Sequence, residues 1–200
     1  DGDEVLCQLE TKNNAHLLFF TNKQQVYKCR AGDFEDGKAS QLGDFVAAKL
    51  GMEEGESPLY LAVTNDYSGY MLFFFESGKC AKIPMESYAT KNNRRKLINA
   101  YSGKEKLVHL RYIPQDCMIA VFIGGTRLLV VNTVQIAEKQ TKTSAGVAVV
   151  TLKKNQSITD ICKLESVGLT NESRYQVQNL PAAGALLREK DLQRQITMEL

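Results

Sequence analysis

His16-Leu17-Leu18-Phe19-Phe20-Thr21-Asn22-Lys23 recurs as Tyr70-Met71-Leu72-Phe73-Phe74-Phe75-Glu76-Ser77-Gly78-Lys79 and, more faintly, as Ile119-Ala120-Val121-Phe122-Ile123-Gly124-Gly125-Thr126-Arg127. With Phe19, Phe73 and Phe122 as matching positions, the copies lie 54 and 49 residues apart. A period of roughly 50 residues points to solenoids, propellers and arrays, in which one unit is too small to bury a core alone.

Each copy continues in the same way. The apolar run meets a polar turn cluster (Asn22 to Gln25, Glu76 to Lys79, Gly124 to Thr126) and then a second apolar strand: Val26 to Cys29, Cys80 to Ile83, Leu128 to Val131. Short β-rich runs around such clusters signal hairpins, and Gly supplies the positive φ of a tight turn. Asn22 tolerates the same conformation, so the first copy is expected to turn without Gly. About a dozen polar residues follow, then a further strand pair: Asp44 to Leu50 with Pro58 to Val63, Leu97 to Tyr101 with Leu107 to Ile113, and Val147 to Leu152 with Ile158 to Leu164. Four strands per copy and three copies predict an all-β array of blades.

The strand Leu17–Thr21, its turn, Val26–Arg30, a polar loop, Val46–Leu50 and Glu53-Glu54-Gly55-Glu56 together resemble a known repeat, that of the C-terminal domain of gyrase A and its topoisomerase IV counterpart. Lys82-Ile83-Pro84-Met85-Glu86-Ser87-Tyr88 followed by a basic loop, and Lys142-Thr143-Ser144-Ala145-Gly146-Val147, are similar to that family's blade crossing and to the loop before its third strand. The resemblance covers roughly residues 4 to 165. It implies a propeller-like β-pinwheel of at least three blades that exchange strands and wrap duplex DNA on a basic rim. The gyrase box of the form Gln-Arg-Arg-Gly-Gly-Lys-Gly, which the family associates with chiral wrapping and negative supercoiling, has no match. Lys91-Asn92-Asn93-Arg94-Arg95-Lys96 has its charge without its glycines. With a chain that opens on Asp1-Gly2-Asp3 without Met, this departure points to a paralogue of either enzyme or to a fragment that begins after the first blade. The expected organisation is residues 1–165 as repeats (4–66, 67–116, 117–165) and 166–200 as a tail.

Composition agrees with a β domain that has ample core: 200 residues, 44% hydrophobic, with no run as long as a membrane helix and no signal-peptide pattern. Five Cys (Cys7, Cys29, Cys80, Cys117, Cys162) show no CxxC, and several sit inside apolar strands. Reduced thiols in a cytoplasmic protein are the simplest expectation, without disulfide or zinc, and the resemblance implies a bacterial, nucleoid-associated one. The net charge of +2 hides an asymmetry: residues 1–66 carry 6 basic and 12 acidic side chains, whereas 67–163 carry 15 and 6. A localised basic surface is the footprint of a polyanion partner.

The sharpest candidates for phosphate contact are Lys91, Arg94, Arg95 and Lys96 on the crossing loop of the second copy. Lys139 and Lys142 take the same place in the third copy, and Lys38 stands alone in the acidic first. Lys23, Lys79 and Arg127 add hairpin-turn cations read as matching positions. Charges repeated at one blade position suit bending a duplex through phosphate contact rather than reading its bases. Phe19, Phe20, Phe73, Phe74 and Phe122 are expected in the core, not as a base-stacking platform.

Catalysis has no constellation behind it. His16 and His109 lie on strand-like stretches without ligands at metal spacing, and neither a Walker loop nor a nucleophile elbow is present. The resemblance implies a non-catalytic domain that holds no cofactor. ATP and Mg would act elsewhere in a parent isomerase, whose cleavage core and ATPase subunit would be partners beside the DNA. A β-propeller protein-interaction module is the competing reading. In the tail, Tyr175 to Leu180 reads as one more strand and Ala185 to Gln195 as a short helical pattern.

Overall fold

The apolar runs form strands because they alternate between two buried faces and end in residues that turn the chain. In the computed structural model, which describes residues 8–38, 42–91 and 94–191, the strands in chain order are β1 (His16–Thr21), β2 (Val26–Arg30), β3 (Pro58–Thr64), β4 (Tyr70–Phe75), β5 (Lys79–Pro84), β6 (Lys96–Leu97), β7 (Leu107–Ile113), β8 (Met118–Ile123), β9 (Arg127–Asn132), β10 (Val147–Ala148), β11 (Ile158–Lys163) and β12 (Ala185–Leu186). They assemble into three antiparallel sheets of four, ordered β3-β1-β2-β6, β10-β5-β4-β7 and β11-β8-β9-β12.

Each blade thus owns three strands and borrows the fourth. Leu97 pairs with Val26 of the first blade, Val147 with Cys80 of the second, and Ala185 with Leu128 of the third. Those three partners are themselves equivalent, because they pair with Phe20, Phe74 and Phe122 in their hairpins. Strand exchange of this kind distinguishes a pinwheel from a propeller of self-contained blades. The chain divides into two units, one built from the described parts of Asp1–Tyr67 and Thr90–Ile98, the other from those of Ser68–Ala89 and Asn99–Leu200.

Several local expectations are corrected. Asp44 to Leu50 is not a strand: Val46–Lys49 forms one helical turn, α1. Two Ala favour the turn, Gly51 closes it with a left-handed φ of 65°, and Val46 and Leu50 pack beside Leu17, Phe19 and Tyr27. Leu97 to Tyr101 is strand only at its start, since Asn99 turns left-handed (φ 54°) and sends Ala100 and Tyr101 into the core of the second unit. Tyr101 stacks there on Phe73 at 5.3 Å, and Tyr88 Oη donates to Ala100 O at 2.7 Å, which fastens the two ends of the excursion 90–98 together. Val147 to Leu152 keeps two strand residues, after which the Val149 and Val150 amides both turn to Gly78 O. The left-handed residue of the first hairpin is Gln24 (φ 53°), not Asn22, whose side chain instead ties the turn to Gly55 and Ser57.

Register also corrects the repeat. Phe122 pairs with Leu128 as Phe74 pairs with Cys80, so it matches Phe74 and not Phe73; Val121 takes the Phe73 position. A slip of one residue exchanges the two faces of a strand. Phe122 lies on the face of the last sheet that Leu164, Val167 and Tyr175 cover and is only half-buried there, whereas Phe19, Phe20, Phe73 and Phe74 are buried as expected. In the second unit, one core lies between the facing sheets, from Leu72, Phe74 and Cys80 to Ile119, Val121, Leu129 and Val131. The other face of the last sheet (Ala120, Leu128, Val130) is covered by Leu164, Val167 and Tyr175.

The tail supplies what a following repeat would supply. Tyr175 to Leu180 is no strand beyond the single parallel bridge of Gln176 to Val130, which matches that of Glu138 to Lys82. Ala185–Leu186 is a strand, and the expected helix is seen only from Glu189 to Asp191, with residues 192–195 outside the described residues. Short helical sequence yields here to an open ladder edge, which offers hydrogen bonds that a marginal helix cannot match. Tyr175 is buried, and its hydroxyl donates to the buried Asp191 carboxylate at 2.5 Å, which also accepts from Thr170. Among the described residues, no helix is long and apolar enough to cross a membrane.

Candidate nucleic-acid interface

The borrowed strand of the first blade is entered through the densest basic sequence of the chain, Lys91 to Lys96. Its segment is fastened by Lys28 on β2, whose amide donates to Arg95 O and whose Nζ donates to Thr90 Oγ1, both at 2.6 Å. Burial lowers the pKa of Lys28. With the backbone held so, the Lys91, Arg94 and Arg95 side chains are exposed and have no ion-pair partner among the described residues. Asn92 and Asn93 of the same loop lie outside the described residues. Arg95 also lines a cleft of about 230 Å³ with Tyr27, Asp33, Phe34 and Lys49.

Lys96 behaves differently. Its Nζ donates to Glu53 Oε1 at 2.5 Å and lies 5.6 Å from the centroid of the Tyr27 ring. Lys23, from the first hairpin turn, reaches the same carboxylate at 3.7 Å and donates to Glu54 O at 2.6 Å. Hydrogen bonds from Lys96 and Gln25 hold the Glu53 carboxyl below its ordinary range, and Glu53 in return raises Lys96. The turn bearing Glu53 is built on Glu56, which is buried and accepts from Thr21 Oγ1 (2.5 Å), Tyr27 Oη (2.8 Å) and the Glu53 amide (2.9 Å). Burial pushes the Glu56 carboxyl up, and these donors together bring it below its usual value.

The turn cations do not form one equivalent set. Gln25, Lys79 and Arg127 share a register position, each immediately before the matched residues Val26, Cys80 and Leu128; Lys23 sits two residues earlier, in the turn itself. Lys79 pairs with Glu105 at 2.6 Å, a carboxylate that also accepts from Ser77, and both partners hold Glu105 low. Arg127 donates to Gly184 O at 2.6 Å and so fastens the borrowed strand β12. Lys139 and Lys142 are half-buried on the crossing segment of the second unit. The Lys139 amide donates to Lys82 O, and Lys142 Nζ approaches Ser87 O at 3.4 Å and the Tyr88 ring at 6.0 Å. Exposed ion pairs of this kind add little stability. Their consequence is electrostatic, because a paired lysine offers less field to a polyanion than a free one.

Two cations of structural weight escape sequence reasoning. Lys82, equivalent to Lys28, is 3% exposed, and its Nζ donates to Asp116 Oδ1 (2.6 Å) and Thr133 O (3.0 Å) beneath the Tyr70 ring. Arg111, on β7, donates from Nε to Ile161 O at 2.7 Å and pairs with Asp160, joining the two blades of its unit. The signal for the first was present: Lys stands at the same place in Val-Tyr-Lys-Cys and Cys-Ala-Lys-Ile, inside otherwise apolar strands.

The histidines serve the fold. His16 Nδ1 lies 3.1 Å from the Tyr67 hydroxyl and His109 Nε2 lies 3.3 Å from Ile158 O; burial lowers the pKa of each. Burial likewise pushes the Cys29 thiol up to about 11 and raises Cys80, Cys117 and Cys162, while Cys7 lies outside the described residues. Among the described residues, no group of three His, Cys, Asp or Glu side chains can hold a metal ion.

Comparison with known proteins gives the architecture a place. No family model matches the sequence. The gyrase A protein of Streptomyces coelicolor is 28% identical over 89 residues, which cover 43% of this chain and 10% of that protein. The chain therefore matches about a tenth of that relative's length. Among solved structures, the C-terminal domain of DNA topoisomerase IV superposes with a TM-score of 0.68 at 19% identity, over 90% of this chain and 61% of the other. A DNA gyrase A C-terminal domain gives 0.65 at 16% identity, over 92% and 64%, and the E. coli ParC C-terminal domain gives 0.62 at 12%, over 90% and 80%. With its three four-stranded blades and borrowed strands, the chain has the β-pinwheel fold of the C-terminal domains of DNA topoisomerase IV and DNA gyrase A.

Proposed function

We propose that this chain binds and bends duplex DNA through its basic crossing segments, as a non-catalytic, gyrase A-like C-terminal domain of a type IIA topoisomerase. In that role it presents a DNA segment to a cleavage core carried elsewhere, with ATP hydrolysis on a separate polypeptide. The observation that carries the reading is the exposed cluster Lys91, Arg94 and Arg95, on a segment tied to β2 by the Lys28 amide at Arg95 O and Lys28 Nζ at Thr90 Oγ1, and left without an ion-pair partner among the described residues. Unpaired cations on a segment anchored to β2 gain most from displacing the ions condensed on DNA, and arginines grip phosphates bidentately. Lys139 and Lys142 extend the same chemistry to the next crossing segment. Lys23, Lys79, Lys96 and Arg127 are weaker contributors because each is already engaged.

The test is binding of a labelled mixed-sequence duplex across a salt series, with bending read by energy transfer between its ends. Sequence-tolerant binding that brings the ends together is expected, with log K falling against log salt by about 0.9 for each phosphate neutralised. Arg94→Glu/Arg95→Glu is expected to flatten that slope and weaken binding at least tenfold at low salt. Absence of binding by the wild type at low salt would refute the proposal. It would favour the protein-interaction module, for which Leu42 and Phe45 beside α1 are among the exposed apolar side chains.

A further inference from the structure

Lys23 and Lys96 lie 73 residues apart in sequence yet meet at one carboxylate, that of Glu53. Neither lysine depends on that carboxylate for its place. Lys23 Nζ is held by Glu54 O at 2.6 Å, and Lys96 is carried on β6, paired with Tyr27, with its ammonium over the Tyr27 ring. Glu53 in turn is half-exposed, and its turn is built by Glu56 and the Glu53 amide rather than by the Glu53 side chain. Two ammonium groups fixed from behind and bridged by a solvent-facing anion make a two-point anion site whose present occupant is the protein's own carboxylate. Gln25 Nε2, at 3.5 Å, completes the donors that face it.

We propose that Lys23 and Lys96 form a binding site for a backbone phosphate of duplex DNA, and that Glu53 is an internal mimic which the phosphate must displace. The inference rests on the DNA-binding reading above and assigns that site its regulation: Glu53 sets how tightly the first blade holds DNA. Arg94 and Arg95, on the same segment as Lys96, provide the initial attraction, and exchange of carboxylate for phosphate then seats the duplex across β6. Because an exposed ion pair is worth at most about fivefold in an equilibrium constant, the exchange is readily driven by DNA.

The experiment compares wild type, Glu53→Gln, and Glu35→Gln, which removes the same charge from an exposed position without a lysine partner among the described residues, in the duplex-binding assay. Thermal melting accompanies each to show that the fold is kept. Glu53→Gln is expected to tighten binding by about fivefold with little change in the salt slope, because the same two lysines meet phosphate in both complexes once the carboxylate is displaced. Glu35→Gln is expected to change affinity less than twofold. In a Lys23→Gln/Lys96→Gln background the effect of Glu53→Gln should vanish. Equal effects of the two glutamate substitutions, or an effect of Glu53→Gln that persists without the lysines, would overturn the site and leave only a change in overall field. A wild type that binds DNA while Glu53→Gln binds no better would sink this inference alone, whereas failure of every variant to bind at low salt would refute the DNA reading together with it.

Discussion

Replacing Asp116 with Asn tests whether the second blade is organised around a buried charge. Lys82 has a side chain only 4% exposed, and its ammonium is met by Asp116 Oδ1, by Thr133 O and by the face of Tyr70. Asn keeps the shape and an acceptor for Thr133 Oγ1, which now donates to Asp116 at 2.6 Å, so only the charge is lost. Stripping one partner from a buried pair costs about 3–5 kcal/mol, and the 29% exposure of Asp116 places this pair at about 3. For a chain of this size that corresponds to a fall in melting temperature of roughly 6–12 °C. Calorimetry would read the shift. Site-resolved labelling of Cys80, which is fully buried beside β10, would report that the unit containing Lys82 is the one that opens. The companion variant Lys82→Met/Asp116→Asn removes the stranded charge and is expected to regain more than half of the loss. A shift below about 2 °C for Asp116→Asn, or a double variant no more stable than the single, would show that water already reaches Lys82 and that the pair does not organise the blade.

Two further outcomes follow from the same geometry. Gly146 holds a left-handed φ of 76°, and a Cβ there would stand 2.0 Å from Cys80 O on the backbone of β5. Gly146→Ala should therefore cost well over the ~1–2 kcal/mol of the left-handed backbone alone and detach β10, seen as lost hydrogen-exchange protection at Val147; unchanged protection would contradict the close approach. Acid should destabilise the fold in two stages. Burial holds His16 and His109 below their ordinary values, so from about pH 6.5 downward the unfolded chain binds protons first and stability begins to fall. Asp116 and Glu56, whose donors outweigh the upward push of burial, are depressed carboxyls; the stability they add is complete above about pH 4–5 and is lost as pH falls through their folded values. Urea midpoints measured from pH 8 to pH 3 should show both stages, and Glu56→Gln should flatten the second.

How much of this was legible beforehand depends on the range of the interactions. The hairpins β1–β2, β4–β5 and β8–β9 and the third strands Pro58–Thr64, Leu107–Ile113 and Ile158–Lys163 were readable, because alternation and turn residues act over a few positions. Of the short borrowed strands, the pattern predicts two too long (Leu97 to Tyr101, Val147 to Leu152) and the third, Ala185–Leu186, as helical, and it leaves their pairings unspecified. Lys96–Leu97, Val147–Ala148 and Ala185–Leu186 have two residues each, with no periodicity to read, and are strands only because an edge of β2, β5 or β9 awaits them. The same holds for α1, where a sequence suited to either state follows the packing of Val46 and Leu50.

For the candidate interface, the sequence alone determined where cations are concentrated, and Lys91, Arg94 and Arg95 are exposed as a polar loop implies. It could not separate free charges from spent ones. Lys23 and Lys96 meet Glu53, Lys79 meets Glu105, and Arg127 meets Gly184 O across separations of 26 to 57 residues. The repeated pattern of apolar runs and turns thus specified a β array with a basic second and third copy. Only the tertiary structure decided which blade each crossing strand completes and which lysines remain available, because both depend on groups that folding brings together from distant parts of the chain.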